Sequence, residues 1–553
     1  MSQPTPSAAG PPTPIMVAPT NPQSASPFNK VPLEVLLRIS SHLTTPELGA
    51  LRLTCRSIEQ SMFNTFMREF FTKRQFMLTE DSLQALIDIS KSRLSDCLSH
   101  VIIGLNSFTR HYFPPGEEAG ETHYRTAHAD HCTLVNSGQD VAMLTEAFSN
   151  LKNLQSVGIR DYNSNARRYR DGFTATWASY GAPTLEKETG VSLFRVPTDE
   201  IQAYTNKVFI TLFTALGNAG ARPKAFELLR RHQGVPSDDA FNLFTSYLKP
   251  KVAPVLESLE TFICVVNVAN GPFRTTAPAS NAEDNGTFSR RRHDYLLRLF
   301  LGYMPNLKHL RLNFSHPGNN SDSVDQFINW LGTPVPKVPA TPPPADSKLP
   351  APPPPVAFPY LEELNLGFVD VEPRRLVHLV RKFAGTLKKL ELWKVTLWNR
   401  AAEGQDRDER RDHYKINLWA RMLKGLREVP NLNLDHIMIG NPAQRTFMTN
   451  TRVWFQRKDG PADEKLNKRE YTGIDWKHFV EELASQVKVE LPPESESDDV
   501  EDEDEYDSEL DEDMMEDDLM MMNGYYPDDM EDVMDGWEDM LLYEQGFHPA
   551  MMF

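Results

Sequence analysis

The chain has 553 residues, of which 40% are hydrophobic and 24% charged, a composition typical of globular proteins with room for several domains. No stretch approaches the roughly 18–20 consecutive apolar residues of a membrane span, and the first residues lack the basic and apolar regions of a signal peptide. Four scattered cysteines do not indicate a disulfide framework. We expect a soluble protein of the cytoplasm and/or the nucleus, with no membrane partner.

Charge is distributed unevenly along the chain. The formal net charge is −18, but residues 490–553 hold 26 of the 76 acidic side chains and no Lys or Arg. Residues 1–489 therefore contain 50 acids against 58 bases and are mildly basic. Runs of like charge repel themselves, so we expect an acidic, disordered tail at 490–553. The Met, Tyr and Trp residues within it leave a second interpretation open, in which the tail folds back on the basic part of the chain.

The N-terminal part changes character abruptly. Residues 1–27 contain eight prolines and almost no large apolar side chains, which predicts a disordered segment. Residues 28–75 are rich in leucine and phenylalanine at a spacing that predicts three short helices. The first helix is predicted after Pro32, the second with Thr45 as its cap, and the third from about residue 55 to residue 70.

From residue 79 to residue 445 one unit recurs, an amphipathic helix followed by an apolar-x-x-apolar-x-apolar strand. The strand triplets are Leu98/Val101/Ile103, Leu154/Val157/Ile159, Leu259/Phe262/Cys264, Leu307/Leu310/Leu312, Leu361/Leu364/Leu366, Leu387/Leu390/Leu392 and Leu434/Ile437/Ile439, with a weaker copy at Phe226/Leu228. The helices are predicted at roughly 81–91, 139–149, 200–217, 239–257, 293–302, 323–331, 374–384 and 415–428. The pattern is that of leucine-rich repeats, in which stacked units share one core, although its irregular spacing predicts long inserted loops.

A proline-rich stretch interrupts the repeats. Residues 333–359 contain 12 prolines, which predicts an extended, disordered loop that does not join the core. It is either a docking peptide for an SH3- or WW-like groove or a tolerated surface insertion. After the repeats, residues 446–489 are predicted to form a C-terminal extension.

Residues 28–70 resemble an F-box. They combine a proline beside an acid, a leucine-isoleucine helix, a short connector, a leucine pair and a Cys-Arg. Two positions depart from the usual pattern, since Val31 stands where leucine is commoner and Ile58 where an aromatic residue is common. The order of segments, including Arg-Glu-Phe-Phe-Thr-Lys-Arg-Gln-Phe-Met-Leu at 68–78, resembles fungal F-box proteins with leucine-rich repeats.

The resemblance implies a non-catalytic, cofactor-free substrate-recognition subunit of an SCF-type cullin-RING ubiquitin ligase. Its F-box would dock on a Skp-type adaptor, and through it on the cullin-RING scaffold, while the repeats bind an unknown protein substrate. The implied adaptor-binding residues are Pro32, Leu33, Leu36, Leu37, Ile39, Leu43, Leu48, Leu51, Leu53, Cys55 and Arg56. The alternative is a leucine-rich-repeat scaffold without ligase function, in which the same leucines form a helical end cap.

The sequence gives less support to a metal site, to an enzyme active site or to nucleic-acid binding. His123, His128, His131 and Cys132 are possible zinc ligands, but their spacing follows no finger pattern and the segment is predicted to be a loop, so we expect no metal site. Phosphate-loop, nucleophile-elbow and His-Glu-x-x-His motifs are absent from the sequence. Arg290–Arg292 is too short to predict nucleic-acid binding, and we interpret it as the start of a helix.

Side chains between the inward leucines of the repeats alternate in sign, and they give no clue to the charge of a target. These residues are Lys308, Arg311, Glu362, Asn365, Lys389 and Glu391.

Overall fold

The chain is mixed α/β in the computed structural model. The structure describes residues 31–108, 113, 116, 118–165, 167–193, 198–231, 234–268, 294–314, 321–336, 353–399, 416–446, 449–458, 460–461 and 464–490. Two compact units are formed, the first from Met1–Glu69 with Arg167–Ala175 and the second from Phe70–Ala166 with Thr176–Phe553. The segments 1–27 and Arg290–Arg292, and the acidic tail beyond Glu490, lie outside the described residues.

Fifteen α-helices occur in the described residues. They are α1 Leu33–Ser40, α2 Thr45–Leu53, α3 Arg56–Phe71, α4 Glu80–Lys91, α5 Glu118–Ser137, α6 Gln139–Asn150, α7 Arg168–Asp171, α8 Ala182–Thr189, α9 Thr198–Ala219, α10 Lys249–Glu257, α11 Tyr295–Leu301, α12 Ser321–Gly332, α13 Pro373–Phe383, α14 Leu418–Arg427 and α15 Trp476–Gln486. None of these helices combines the length and the apolar character that crossing a bilayer requires.

Fifteen strands in the described part of the chain form two sheets. They are β1 Lys73–Phe76, β2 His100–Gly104, β3 Ser156–Arg160, β4 Ala225–Leu229, β5 Thr261–Val266, β6 His309–Phe314, β7 Glu363–Gly367, β8 Asp370–Val371, β9 Lys389–Trp393, β10 Thr396–Trp398, β11 His436–Gly440, β12 Ala443–Thr446, β13 Thr449–Phe455, β14 Lys468–Thr472 and β15 Val487–Val489. The larger sheet has the order β1-β2-β3-β4-β5-β6-β7-β9-β11-β14, and the smaller has the order β15-β13-β12-β10-β8.

The ten-stranded sheet is parallel through β11 and antiparallel only at β14. Its register aligns the second apolar position of all eight predicted strands in one continuous row. That row is Val101, Val157, Phe226, Phe262, Leu310, Leu364, Leu390 and Ile437, and every member is fully buried. The third positions form a second buried row, so the predicted strands, including the weak copy at 226, are confirmed.

The predicted repeat helices are confirmed with one exception. The segment 239–257 is not a single helix, because a 3-10 turn at Asp238–Phe241 is followed by α10 from Lys249. Pro250 lies in the first turn of α10, where a proline without an N–H is favourable, which fits a helix start at Lys249; a second proline, Pro254, lies inside the same helix.

The smaller sheet begins where three successive strands of the larger one turn. Phe368, Lys394 and Asn441 directly follow β7, β9 and β11 and have φ values of 57°, 49° and 45°. Each donates its N–H to the neighbouring chain segment, at Trp393, Gly440 and Asn467 respectively. These left-handed residues redirect the chain into β8, β10 and β12, which pair in parallel within the smaller sheet.

Part of the proline-rich segment joins the core. Residues 337–352 lie outside the described residues, but Val356 and Phe358 are buried in the main hydrophobic cluster. The indole N–H of Trp330 in α12 donates to the Pro353 carbonyl at 3.2 Å. The prediction that no part of 333–359 packs on the core is therefore wrong for 353–358, because two apolar side chains follow the proline run and find partners.

Candidate docking surface

The first helix of unit 1 carries more apolar side chains than the unit buries. At 100° per residue, Leu36 and Ser40 lie at the centre of its inner face and are buried. Leu33 on one flank and Val35 with Ile39 on the other are exposed. The apolar sector of α1 is thus wider than its contact with the rest of the unit.

The start of the second helix is fixed by a capping box. The Thr44 hydroxyl accepts from the Glu47 N–H at 3.4 Å, and the Glu47 carboxylate accepts from the Thr44 N–H at 2.9 Å. The cap is therefore Thr44 and the prediction of Thr45 is wrong, because the box requires an acid three residues on and Leu48 holds that place for Thr45. Pro46 is the second residue of the helix, within its first turn.

Along the rest of α2, Leu48 is buried and the leucine at the end of the helix is not. Leu53 has 88% of its surface exposed. The first unit closes around Ile58 and Met62 of α3, which are buried, and the Arg52 guanidinium lies 3.3 Å from the centre of the Phe66 ring. Ile58 thus serves as a core residue of this unit.

A short helix from much later in the chain completes this unit. Arg170 in α7 donates from Nη1 to the carbonyl oxygens of Ser40 and Leu43, each at 2.6 Å. These carbonyls belong to the end of α1 and to the connector, where the last turn of a helix leaves acceptors without intrahelical partners. The same guanidinium donates from Nε to Glu69 of α3 at 2.7 Å. One arginine therefore joins the end of α1, the connector and α3.

The neighbouring Asp171 binds the start of the second helix. Its two carboxylate oxygens accept from the N–H and the hydroxyl of Thr45, each at 2.6 Å, and its second partner is Arg167. Burial of the carboxyl works against ionisation, but the hydrogen bonds from Thr45 and Arg167 outweigh it and hold the pKa of Asp171 below its usual value. The carboxylate is thus charged at the positive end of α2, where a negative charge is favourable.

The eleven residues implied by the family resemblance divide into three groups. Leu36 and Leu48 are buried; Leu37, Leu43, Leu51 and Cys55 are half-buried; Pro32, Leu33, Ile39, Leu53 and Arg56 are exposed. All of them belong to unit 1, on or next to α1, α2 and α3. The two buried leucines hold the unit together, so a partner could contact only the other nine.

Three exposed apolar side chains of this unit were not among the candidates, namely Val35, Tyr169 and Phe173. With Leu33, Ile39 and Leu53 they make up six of the eleven large hydrophobic side chains that are exposed in the described parts of the chain. Val35 had a signal in the sequence, since it stands four residues before Ile39 on the same helical stripe. Tyr169 and Phe173 had none, because the charged run Arg-Arg-Tyr-Arg-Asp shows no apolar period.

The histidine-rich segment is not a loop. It lies within α5, where His131 is buried and its Nδ1 is 2.7 Å from the Leu78 carbonyl oxygen. His123 and His128 are exposed, and the Cys132 sulfur lies 3.6 Å from Nε2 of His128. Within the described residues no three His, Cys, Asp or Glu side chains are close enough to hold a metal ion. The loop prediction failed because the helix buries only Tyr124, His131 and Leu134, too few residues to make a helical period visible in the sequence.

Neighbouring strands of the large sheet pair their charges with each other. Asn365 donates to Glu391 at 2.6 Å, and the Lys389 ammonium lies 2.6 Å from Glu363. Before the strands, Lys308 pairs with Glu260 at 2.7 Å and Lys388 with Glu362 at 3.2 Å. The alternation in sign predicted for this face is thus a ladder of pairs between adjacent repeats, and it leaves little net charge for a partner.

We compared the chain with protein-family models, with curated proteins and with solved structures. No protein-family model matches the chain. No curated protein matches it either. Among solved structures, the crystal structure of a complex of Rad7 and Elc1 in yeast is similar over 74% of this chain and 87% of the matched chain, with 10% sequence identity and a TM-score of 0.22.

Proposed function

We propose that the chain is the substrate-recognition subunit of an SCF-type cullin-RING ubiquitin ligase. Unit 1 docks on a Skp-type adaptor, as an F-box does, and unit 2 binds the protein to be ubiquitinated. The observation that carries the proposal is the set of exposed apolar side chains on α1 and α2, at positions where the F-box resemblance expects contact with a partner. The contribution of the chain to the reaction is proximity, with no catalytic residue of its own.

The energetics of such docking are reasonable. Covering a leucine or isoleucine side chain contributes about 1.5–3 kcal/mol, so Leu33, Ile39 and Leu53 together offer several kcal/mol of gross binding energy. The half-buried Leu37, Leu43 and Leu51 add to this, and association and ordering costs offset part of the sum. A unit this small also buries a low fraction of its own surface, which favours a permanent partner.

The test compares two leucine-sized side chains of equal exposure. In the full chain, Leu53→Asp places a charge at the proposed interface, and Ile474→Asp places one at a position of unit 2 that is 90% exposed. We expect the wild-type chain and Ile474→Asp to co-elute with a Skp-type adaptor. We expect Leu53→Asp to bind at least roughly tenfold more weakly, because about 1.4 kcal/mol corresponds to a factor of ten.

Neither aspartate disturbs a buried side chain, so both variants should fold. Failure of the folded wild-type chain to bind any Skp-type adaptor would leave the alternative, a leucine-rich-repeat scaffold without ligase function. Equal weakening by Leu53→Asp and Ile474→Asp would show that the exposed leucine has no specific role.

A further inference from the structure

Two neighbouring helices of unit 2 expose a row of cationic side chains. In α13 the inner positions are apolar, and Arg374, His378 and Arg381 follow one another on the outer side at steps of four and three residues. In α14, which packs against α13, Arg421 and Lys424 are exposed at a step of three residues. We call Arg374, Arg381, Arg421 and Lys424 the cationic outer face.

The side chains of these four cations form no ion pair or hydrogen bond with any residue that the structure describes. Other basic residues on the same helices do have partners. Arg375 pairs with buried Asp325, Lys382 donates to the Leu331 carbonyl at 2.7 Å, and Arg427 lies 3.0 Å from Glu481. On α14 only Glu428, at the end of the helix, places an exposed acid beside the face. The cationic outer face is therefore electrostatically unbalanced, unlike the paired charges of the large sheet.

The acidic segment of the chain follows the last described residue, Glu490, which comes soon after a helix that packs on α14. Helix α15 packs on α14 and is followed by β15, and the described residues end at Glu490. Packed helices are about 8–10 Å apart, so the span from α15 past α14 to α13 is roughly 20 Å. Six or seven extended residues cover that distance at about 3.3 Å each. The acidic run begins at Glu494 and is dense through Asp518, so its carboxylates from Glu496 onward are at least six residues beyond Glu490 and within reach of the face.

We propose that residues 494–518 of the same chain dock on the cationic outer face. Tethering gives the segment a high local concentration there, so several weak, exposed ion pairs suffice to hold it. The contact is sensitive to salt, because its charges are at the surface. A consequence is that an acidic partner can reach this face only by displacing the tail. The inference is independent of the proposed function of unit 1.

Zero-length carbodiimide cross-linking of the full chain, read out by mass spectrometry, tests the contact directly. The reagent joins a lysine amine to a carboxylate that touches it. At low salt we expect Lys424 to be cross-linked to acids between 494 and 518, with the yield at least about tenfold lower in 0.5 M NaCl, where screening is strong. Exposed Lys152 and Lys187, far along the chain, serve as internal controls and should not react with the tail.

Charge variants of the full chain test whether the acidic tail binds the cationic outer face specifically or is attracted to basic residues in general. The hydrodynamic radius should increase at low salt when Arg374, Arg381, Arg421 and Lys424 are all changed to Gln. It should not increase in a matched variant with Lys152, Lys187, Arg222 and Lys249 changed to Gln, which alters the net charge equally at exposed positions elsewhere. Lys424→Arg should lose the cross-link and keep the compact radius.

Three results would overturn the proposal: tail cross-links spread evenly over the control lysines, an equal radius change in both quadruple variants, or no cross-link at Lys424 in a folded chain. Mixed cross-links between isotopically labelled and unlabelled chains would assign the tail to a second copy and also overturn it.

Discussion

Asp171 accepts two hydrogen bonds from Thr45, one from its backbone N–H and one from its hydroxyl, each 2.6 Å long. The two residues are 126 positions apart, and yet they form one local structure, a helix start with its anionic cap. With Arg170, which binds the end of α1, Asp171 makes the angle between the first two helices depend on a distant segment.

We expect Asp171→Ala to lower the free energy of opening of α2 by about 1–2 kcal/mol, the usual effect of removing a helix cap. Hydrogen exchange of the α2 amides in the full chain measures this. Thr45→Val is the matched control, since it removes only the hydroxyl bond and keeps the N–H, and should have a smaller effect. Unchanged exchange in Asp171→Ala would mean that the contact contributes nothing to the helix start.

Arg170 should not be replaceable by lysine. A lysine keeps the charge but cannot direct separate N–H groups to the Ser40 and Leu43 carbonyls and to Glu69. We expect Arg170→Lys to destabilise α1 by about 1–2 kcal/mol, and Arg170→Met by about 3 kcal/mol because Glu69 then loses its cationic partner. Hydrogen exchange of the α1 amides separates the two variants, and equal effects would contradict the geometric argument.

His100 should make unit 2 sensitive to acid. Burial of its ring, with a smaller effect from Lys73, lowers the pKa of His100 to about 4. Between that value and about 6.5 the unfolded chain binds more protons at this residue than the folded chain, so stability falls as the pH falls. The contribution is up to about 3 kcal/mol. His100→Gln should flatten this slope in urea unfolding followed by fluorescence of the buried Trp419 and Trp476.

Asp238 should change the stability of the folded chain with pH in the opposite direction to His100, over nearly the same pH range. Burial raises the pKa of this carboxyl to about 6, although the N–H groups of Leu296 and Leu297 partly stabilise the charge. From about pH 4 to pH 6 the folded chain therefore binds more protons here than the unfolded chain, and stability falls as the pH rises. We expect Asp238→Asn to remove this loss, so that its unfolding free energy rises more steeply with pH than that of the wild type. Parallel curves would contradict the prediction.

Lys394 offers a test of backbone conformation. Its φ of 49° costs a residue with a Cβ about 1–2 kcal/mol, and glycine avoids this cost. Lys394→Gly should therefore be about 1 kcal/mol more stable than Lys394→Ala, the reverse of the usual order in a strand. Both variants lose the ammonium over the Phe368 ring, so the comparison isolates the backbone term. The same urea unfolding measures it, and the usual order would refute the argument.

The sequence was sufficient to predict the large sheet because its signal is local. Each strand carries its apolar positions at a fixed spacing, and parallel strands in register turn that spacing into rows such as Leu310, Leu364 and Leu390. Even the weak copy at Phe226 and Leu228 obeys this rule. Helices α1, α2 and α3 were predictable for the same reason, with an error of one residue at the Thr44 cap.

The second sheet and the contacts of α7 could not be predicted, because they depend on residues that are distant in the sequence or on backbone conformations that the residue types do not indicate. The second sheet requires Phe368 and Lys394 to adopt a left-handed conformation, for which neither residue type has a preference. The pairing of Thr45 with Asp171 joins positions that only the folded chain brings together. In the candidate docking surface, the helical leucines were therefore predictable, whereas Tyr169 and Phe173 were not.

The origin of the first unit in two separate chain segments has a consequence during synthesis. Residues 31–69 leave the ribosome about 100 residues before Arg170 and Asp171 do, which at 5–20 residues per second is a delay of roughly 5–20 s. During that interval α1 and α2 exist without the groups that satisfy the end of one and the start of the other. The first unit would thus be completed only after β1, β2 and β3 of the large sheet have been translated.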